Sequence, residues 1–335
     1  MRAAVLDHYG PPEAVHIREI PTPTPGPGEI LIRVAYATIT SGDARVRGFN
    51  LPRPIFWLPA KLMLGFKGPR QKVLGVECAG YIHEVGQGVT NFKPGDPVFT
   101  HPGFSKDLGT HAEYVLVDKD TPVEHIPANL TMPQAAAIGF GAITAIYYLE
   151  QLGKLQPNQR LMIIGASGAV GLAAINLAKH LGAHVTAVCS ARNTDLVRSA
   201  GADEVIDYTT TDYTDPASAG EPYDAVLDTV GATRVTRCKR ILKPTGTFLA
   251  CIMGFDEIWR MLLARLIPGP RVKAGIAEET PAIHKRLVEL IDQGAFDPVI
   301  DREYGFDEIV EAYRYVDTWR KRGNVVLKFA DDADG

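Results

Sequence analysis

Seven residues, Gly165-Ala166-Ser167-Gly168-Ala169-Val170-Gly171, constrain the architecture of this chain more than any others. They follow Arg160-Leu161-Met162-Ile163-Ile164, an apolar run too short for a helix, and open a stretch from Ala169 to Leu181 with helical spacing. A glycine-rich turn between strand and helix has a physical use. Small residues let the backbone approach a pyrophosphate, and the helix amino terminus directs unpaired N–H groups and partial positive charge at it. Strand, glycine spacing and helix agree here, which favours dinucleotide binding over a merely tight turn. Gly165, Ser167, Gly168, Ala169, Val170 and Gly171 are the expected phosphate contacts.

The sequence around this turn alternates between strand and helix signals. Strands are expected at His184 to Val188, Glu204 to Ile206, Ala225 to Leu227 and Thr247 to Ile252. Helices are expected around Asp195 to Ala200 and Thr233 to Leu242, after a longer one from Met132 to Leu152 with Thr131 as N-cap. Parallel strands need helix-length crossovers, so the pattern implies a doubly wound parallel sheet in an α/β fold. The first 125 residues read differently. Short β-branched runs (Ile30 to Val34, Ala79 to Val85, His111 to Val117) are separated by Pro/Gly turns, which suggests a compact barrel-like sheet. The tail is mixed, with helices near Ala282 to Gln293 and Phe306 to Asp317 and a last strand from Asn324 to Phe329. Domain boundaries are therefore expected at 1–125, 126–275 and 276–335, the last segment returning to the first domain; 335 residues suit two cores.

The second strand of the nucleotide-binding half ends in Val188-Cys189-Ser190-Ala191-Arg192-Asn193, with no acidic residue before Asp195. NAD sites place a carboxylate there for the ribose 2′-hydroxyl. Ser190 and Arg192 instead suit a 2′-phosphate, which makes NADPH the expected cofactor.

Composition excludes several function classes. Charged residues are 22%, hydrophobic residues 46% and the net charge is −4, with no basic arm for nucleic acid. No apolar stretch is long enough to span a bilayer, and MRAAVLDHYG does not read as a secretory signal. Cys78, Cys189, Cys238 and Cys251 are scattered, which fits reduced thiols in a cytoplasmic protein.

Several pieces in order resemble the medium-chain dehydrogenase/reductase superfamily over nearly the whole chain: PGPGEILIRV, ITSGD, LGVECAGYIHEVGQGVTNFKPGDPVF, AAAIGFGAITA, GASGAVG, GADEVIDY, YDAVLDTVG and GNVVLKF. The resemblance implies a GroES-like β-rich catalytic domain, a six-stranded Rossmann domain and a homodimer formed through a sheet edge. Two departures point to the zinc-free quinone oxidoreductase (zeta-crystallin-like) branch. Thr40 and Val76 occupy positions where the zinc-dependent members have Cys and His, and the lobe of four cysteines for structural zinc is missing. No metal is expected, and His101, His111 and Glu77 do not rescue a site by spacing.

Without a Lewis acid to hold an alkoxide, hydride addition to an electron-poor acceptor is the better-suited chemistry. The expected activity is NADPH-dependent reduction of quinones, α,β-unsaturated carbonyls or related acceptors. Two alternatives stay open: a zinc-free alcohol dehydrogenase or aldehyde reductase, and a non-catalytic NADPH-binding sensor or scaffold. In quinone oxidoreductases an Asn usually stands at Thr40 and a Tyr near Arg45, so Thr40 and Arg45 are the expected donors to substrate. No Tyr lies between Arg45 and Lys61, against a dedicated enoyl-thioester reductase. Tyr208 matches a tyrosine near the adenosine, and Thr229 and Val230 are expected near the nicotinamide. Met253 and Asn324 complete the cofactor set. Apolar residues Ile55 to Leu58, Leu62 to Leu64, Trp259, Leu262, Leu263 and Leu266 suggest a greasy lid that selects a bulky apolar acceptor.

Overall fold

A computed structural model of the chain describes residues 1–50, 57–103, 109–118, 120–263, 269–277 and 280–329. It divides into two compact units: Met1–Phe140 with the chain from Val299 onward, and Gly141–Pro298.

The first unit begins with an antiparallel pair, β1 (Arg2–Leu6) and β2 (Val15–Glu19). Five further strands follow: β3 (Ile30–Thr38), β4 (Cys78–Val85), β5 (Pro97–Thr100), β6 (Tyr114–Val117) and β7 (Val123–His125). β3 pairs antiparallel with both β4 and β6, and β5 bridges β4 to β7. Two-residue alternation shows in β3, where Ile30, Ile32 and Val34 point into one core with Ile82 and Val115.

The second unit is built on β8 (Arg160–Ile164), β9 (His184–Cys189), β10 (Glu204–Asp207), β11 (Tyr223–Asp228), β12 (Leu242–Ala250) and β13 (Arg271–Ala274). They form one parallel sheet in the order β10-β9-β8-β11-β12-β13. The central strands are near-continuous apolar runs because a doubly wound sheet is covered on both faces: Leu161 to Ile164 are all buried. Strand order reverses between β8 and β11. Such a switch point opens a crevice at the carboxyl ends of the strands, where ligands bind in open α/β sheets. The chain then returns to the first unit through β14 (Ile300–Gly305) and β15 (Asn324–Lys328), and β15 joins β3 antiparallel.

The structure departs from the sequence reading in three places. The stretch Met132 to Leu152 is three pieces, Met132–Ala136, Gly139–Ile146 and a π-helical Tyr147–Gly153. The π segment carries the buried Tyr148, whose hydroxyl donates to the Gly275 carbonyl at 2.6 Å. The helix expected from Thr233 to Leu242 is reduced to Val235–Cys238, because β12 begins at Leu242. The division between units also differs from the expected 125/126 and 275/276. Residues 126–140 stay with the first unit because the helix Met132–Ala136 buries Ala135 and Ala136, and the Phe140 N–H donates to Glu77 Oε2 at 2.7 Å. Residues 276–298 stay with the second. The helix Pro281–Asp292 buries Ile283, Leu287, Leu290 and Ile291, and Arg286 grips Glu150 through Nε at 3.1 Å and Nη2 at 2.8 Å.

Candidate active site

The turn after β8 gives each glycine a separate task. Gly165 has φ +78°, and a Cβ there would lie 2.5 Å from Thr229 Oγ1 and 2.7 Å from a Val230 methyl. A Cβ on Gly171 would strike backbone, 2.4 Å from Gly165 O and 2.6 Å from Ala166 C. Gly168 is different: the nearest atom to its Cβ position would be Gly165 O at 3.6 Å. Two glycines close the turn on itself, and the middle one keeps its outer face open. Gly168 is the N-cap of the helix Ala169–His180 and offers no side-chain acceptor. The first bond of that helix runs from Leu172 N to Gly168 O at 2.9 Å. The amides of Ala169, Val170 and Gly171 precede it, so the helix itself leaves them for an anion.

At the end of β9, Ser190 is half-buried and Arg192 is exposed. Between them and the glycine turn sits a residue that the sequence reading missed. Asn193 is buried, and its Nδ2 donates to Ser167 Oγ at 2.9 Å and, weakly, to Ser190 Oγ at 3.5 Å. Both hydroxyl oxygens act as acceptors toward Asn193, so each keeps its proton to donate to an anion. Tyr208 follows β10 with its ring 56% exposed, as an aromatic platform needs. The neighbouring Asp207 carboxylate accepts from Thr209 N and Oγ1 at 3.0 and 2.8 Å; these bonds hold its pKa below the usual carboxylate range.

Asp228, at the end of β11, organises the opposite lip of the switch point. It is buried, and Oδ1 accepts from the amides of Val230, Gly231 and Ala232 at 3.0, 2.8 and 3.3 Å, while Oδ2 accepts from Thr233 N at 3.0 Å. Burial pushes its pKa up, against the opposing pull of those four N–H groups. Thr229 Oγ1 donates to Ile164 O at 2.9 Å and so ties this loop to β8; its hydroxyl proton is already used. Val230 is exposed and Met253 half-exposed. Gly165, Ser167, Gly168, Ala169, Val170, Gly171, Ser190, Arg192, Tyr208, Thr229, Val230 and Met253 all lie in the second unit. Asn324 belongs to the first, where its Nδ2 donates to Val299 O at 3.2 Å.

In the first unit Thr40 belongs to a buried polar cluster, and Arg45 is half-buried. Thr40 caps the helix Ser41–Gly48: its Oγ1 donates to Asp43 Oδ2 at 2.6 Å and accepts from Asp43 N at 3.1 Å. Its only hydroxyl proton is therefore committed, which removes it as a donor to substrate in this arrangement. Arg45 lays its guanidinium over the Trp319 ring, 4.6 Å from the centroid, and burial lowers its pKa. Glu77 is buried between Thr38 Oγ1, which donates at 2.6 Å, and the Phe140 amide. Burial pushes its pKa up to about 7, against those two hydrogen bonds. His111 is buried, its pKa lowered by desolvation; Nε2 lies 2.8 Å from Thr38 O and Nδ1 3.3 Å from Tyr313 Oη.

Val76 is a fully buried core residue, and among the described residues no group of three His, Cys, Asp or Glu side chains is placed to hold a metal ion. A catalytic zinc needs three protein ligands around an open position. Thr40, in its cap, and Val76, in the core, do not fit that requirement.

Of the expected apolar lid, Trp57, Leu58, Leu62, Met63, Trp259 and Leu262 are exposed. Ile55, Phe56 and Leu266 lie outside the described residues.

Comparison with known proteins agrees with this geometry. Residues 26–128 match a family model described as alcohol dehydrogenase GroES-like domain, and residues 200–327 one described as zinc-binding dehydrogenase. The mitochondrial NAD(P)H oxidoreductase RTN4IP1 of Mus musculus is 32% identical over 358 residues, covering 98% of this chain and 89% of the relative. The chloroplastic quinone-oxidoreductase QR1 of Triphysaria versicolor is 32% identical over 337 residues, covering 98% of each. Among solved structures, the quinone oxidoreductase from Coxiella burnetii superposes with a TM-score of 0.84 at 26% identity, over 98% of this chain and 99% of that one.

Proposed function

The chain belongs to the medium-chain dehydrogenase/reductase superfamily, in its quinone oxidoreductase branch, and is an NAD(P)H-dependent oxidoreductase; we propose that it uses NADPH to reduce quinones, α,β-unsaturated carbonyls or related electron-poor acceptors without zinc. The observation that carries the zinc-free reading is the pair Thr40 and Val76, one bound into a helix cap and the other into the core. A site lacking a Lewis acid is poorly suited to stabilise the alkoxide of a simple alcohol. An enone or quinone delocalises incoming charge onto an oxygen that ordinary donors hold.

The nicotinamide supplies the hydride when bound. In this reading the amides of Ala169, Val170 and Gly171 and the Ser167 hydroxyl hold the pyrophosphate. Ser190 and Arg192 take the 2′-phosphate, with Asn193 fixing both serine oxygens as acceptors. Tyr208 covers the adenosine. Val230, Met253 and the Thr229 backbone border the nicotinamide, and Asn324 adds a polar contact. With the Thr40 proton spent on Asp43, Arg45 is the donor proposed for the developing oxyanion. All four cysteines are unpaired, which suits a reducing compartment such as the cytoplasm. A homodimer through an edge such as β13 belongs to the same proposal.

The committed Thr40 hydroxyl also supports a second reading, in which the chain binds NADPH without turning it over. Purified protein is incubated with NADPH or NADH and a panel of quinones, enones and aldehydes, before and after EDTA treatment. Chelator-resistant NADPH consumption with quinones or enones is expected. Tight NADPH binding without consumption selects the second reading, and loss of activity on chelation refutes the zinc-free one.

A further inference from the structure

We propose that the helix Trp57–Leu64, with Phe66 and Lys67 after it, is a docking surface for an anionic lipid bilayer. The helix reads WLPAKLML, yet none of its residues is buried. Trp57, Leu58, Leu62 and Met63 are each more than half exposed, and so is Phe66. A surface helix normally buries its apolar stripe, and contiguous exposed apolar area marks an interaction site.

The helix is nevertheless held firmly from its inner side. Lys61 Nζ lies 4.2 and 4.1 Å from the ring centroids of Tyr9 and Phe49 and donates to Phe66 O at 2.9 Å. Tyr9 Oη donates to Gly65 O at 3.0 Å, and the Phe49 and Trp57 rings meet edge-on at 6.2 Å. The carboxyl end is closed by Arg70, whose backbone N–H donates to Leu64 O and whose Nη2 donates to Leu62 O, both at 2.8 Å. These bonds fix a presented face, so its exposure is not that of a loose segment.

Charge identifies the occupant. From Ala44 to Val76 the sequence carries seven Lys or Arg and no Asp or Glu, in a chain of net charge −4. Two of the seven are neutralised from outside, Arg47 by Asp317 and Lys72 by Asp7. Lys61, Lys67 and Arg70 have no carboxylate partner among the described residues. A second copy docking by the same face would set these cations against their own images. A protein partner would also need polar matches, since interfaces carry about one hydrogen bond per 100–200 Å². The run WLPAKLMLGF offers only an indole N–H and the Lys61 ammonium. A bilayer requires no such matches. Hydrocarbon accepts Leu58, Leu62 and Met63, the headgroup layer suits Trp57 and Phe66, and anionic lipid answers the cations.

The test is sedimentation of the full chain with vesicles of phosphatidylcholine alone, or with about one-third phosphatidylserine. Lys67 and Arg70, the two cations not folded against the inner side, predict about a thirtyfold preference for the anionic vesicles, reduced by added salt. Leu62→Glu with Met63→Glu changes exposed positions and should lower vesicle binding at least about tenfold, since two buried apolar contacts are lost. In a Trp259→Phe, Trp319→Phe background, Trp57 emission should shift to the blue on anionic vesicles. Absence of vesicle binding overturns the proposal, as does binding that the double Glu variant leaves unchanged. A concentration-dependent dimer that the same variant abolishes would show that a second copy covers the face.

Discussion

A methyl group added at Gly168 and one added at Gly171 should separate cofactor binding from folding. At Gly171 the new Cβ would fall 2.4 Å from Gly165 O and 2.6 Å from the backbone of Ala166, so the turn must move. Overpacking of this kind costs roughly 1–3 kcal/mol, partly offset by about 0.5–1 kcal/mol from replacing a helical glycine. The transition of the second unit should then fall by about 1–8 °C, at 2–4 °C per kcal/mol for a unit of this size. At Gly168 the nearest atom is 3.6 Å away and φ is −83°, open to any residue. The weaker N-cap and the reduced freedom of the unfolded chain nearly cancel, each worth a few tenths to about 1 kcal/mol. Gly168→Ala should therefore melt within about 2 °C of wild type without cofactor. In the proposed cradle its methyl group would meet the pyrophosphate, and losing one charge-assisted hydrogen bond, about 1.5–3 kcal/mol, should weaken NADPH roughly ten- to hundredfold. Fluorescence titration with NADPH and melting with and without it read both effects. Wild-type NADPH affinity in Gly168→Ala would refute the cradle argument, whatever Gly171→Ala does.

Three further outcomes are expected. The Glu77 carboxyl, raised from 4.5 to about 7 by burial, binds its proton more tightly folded than unfolded. Its contribution is thus present below pH 4.5 and lost as pH rises through about 7, a change of roughly 3 kcal/mol. His284, lowered to about 4 by burial, works in the opposite direction over an overlapping window, so the reading is the difference between wild type and Glu77→Gln. Wild type should lose Tm relative to Glu77→Gln between pH 5 and 7, and parallel curves would contradict the burial argument. Asn193→Asp would draw both serine protons toward itself and add negative charge; NADPH affinity should fall at least about tenfold and NADH affinity less, by titration. Arg192→Ala should weaken NADPH by roughly ten- to hundredfold, with NADH nearly unchanged, and equal losses for both would remove the 2′-phosphate assignment.

The Rossmann half was legible because its signals are local. An apolar run, a glycine turn and a helical period lie within about 25 residues of one another, and each β-α-β step repeats them. Thr40-Ser41-Gly42-Asp43 is equally local, a capping-box pattern whose consequence for the Thr40 proton was open to reading. Asn193 was not. Its importance comes from Ser167, 26 residues away in the turn after the preceding strand, and no spacing rule joins them. The interrupted helix after Met132 escaped for a related reason. Its sequence stays apolar throughout, while the π-helical piece carries Tyr148, whose hydroxyl reaches the Gly275 carbonyl, a contact across 127 residues. Glu77 reads in sequence as one more acid beside Cys78; only the fold shows it enclosed by Thr38 and the Phe140 amide.

The central claim is hydride transfer from NADPH to an electron-poor carbon without zinc. The most direct test supplies chelator-treated protein, verified free of zinc, with an enone and NADPH deuterated at one or the other C4 position. One of the two labelled cofactors is expected to deliver a single deuterium to the β-carbon of the saturated product, seen by mass spectrometry and NMR. Product without deuterium from either cofactor, or turnover that returns only when zinc is added, would contradict it.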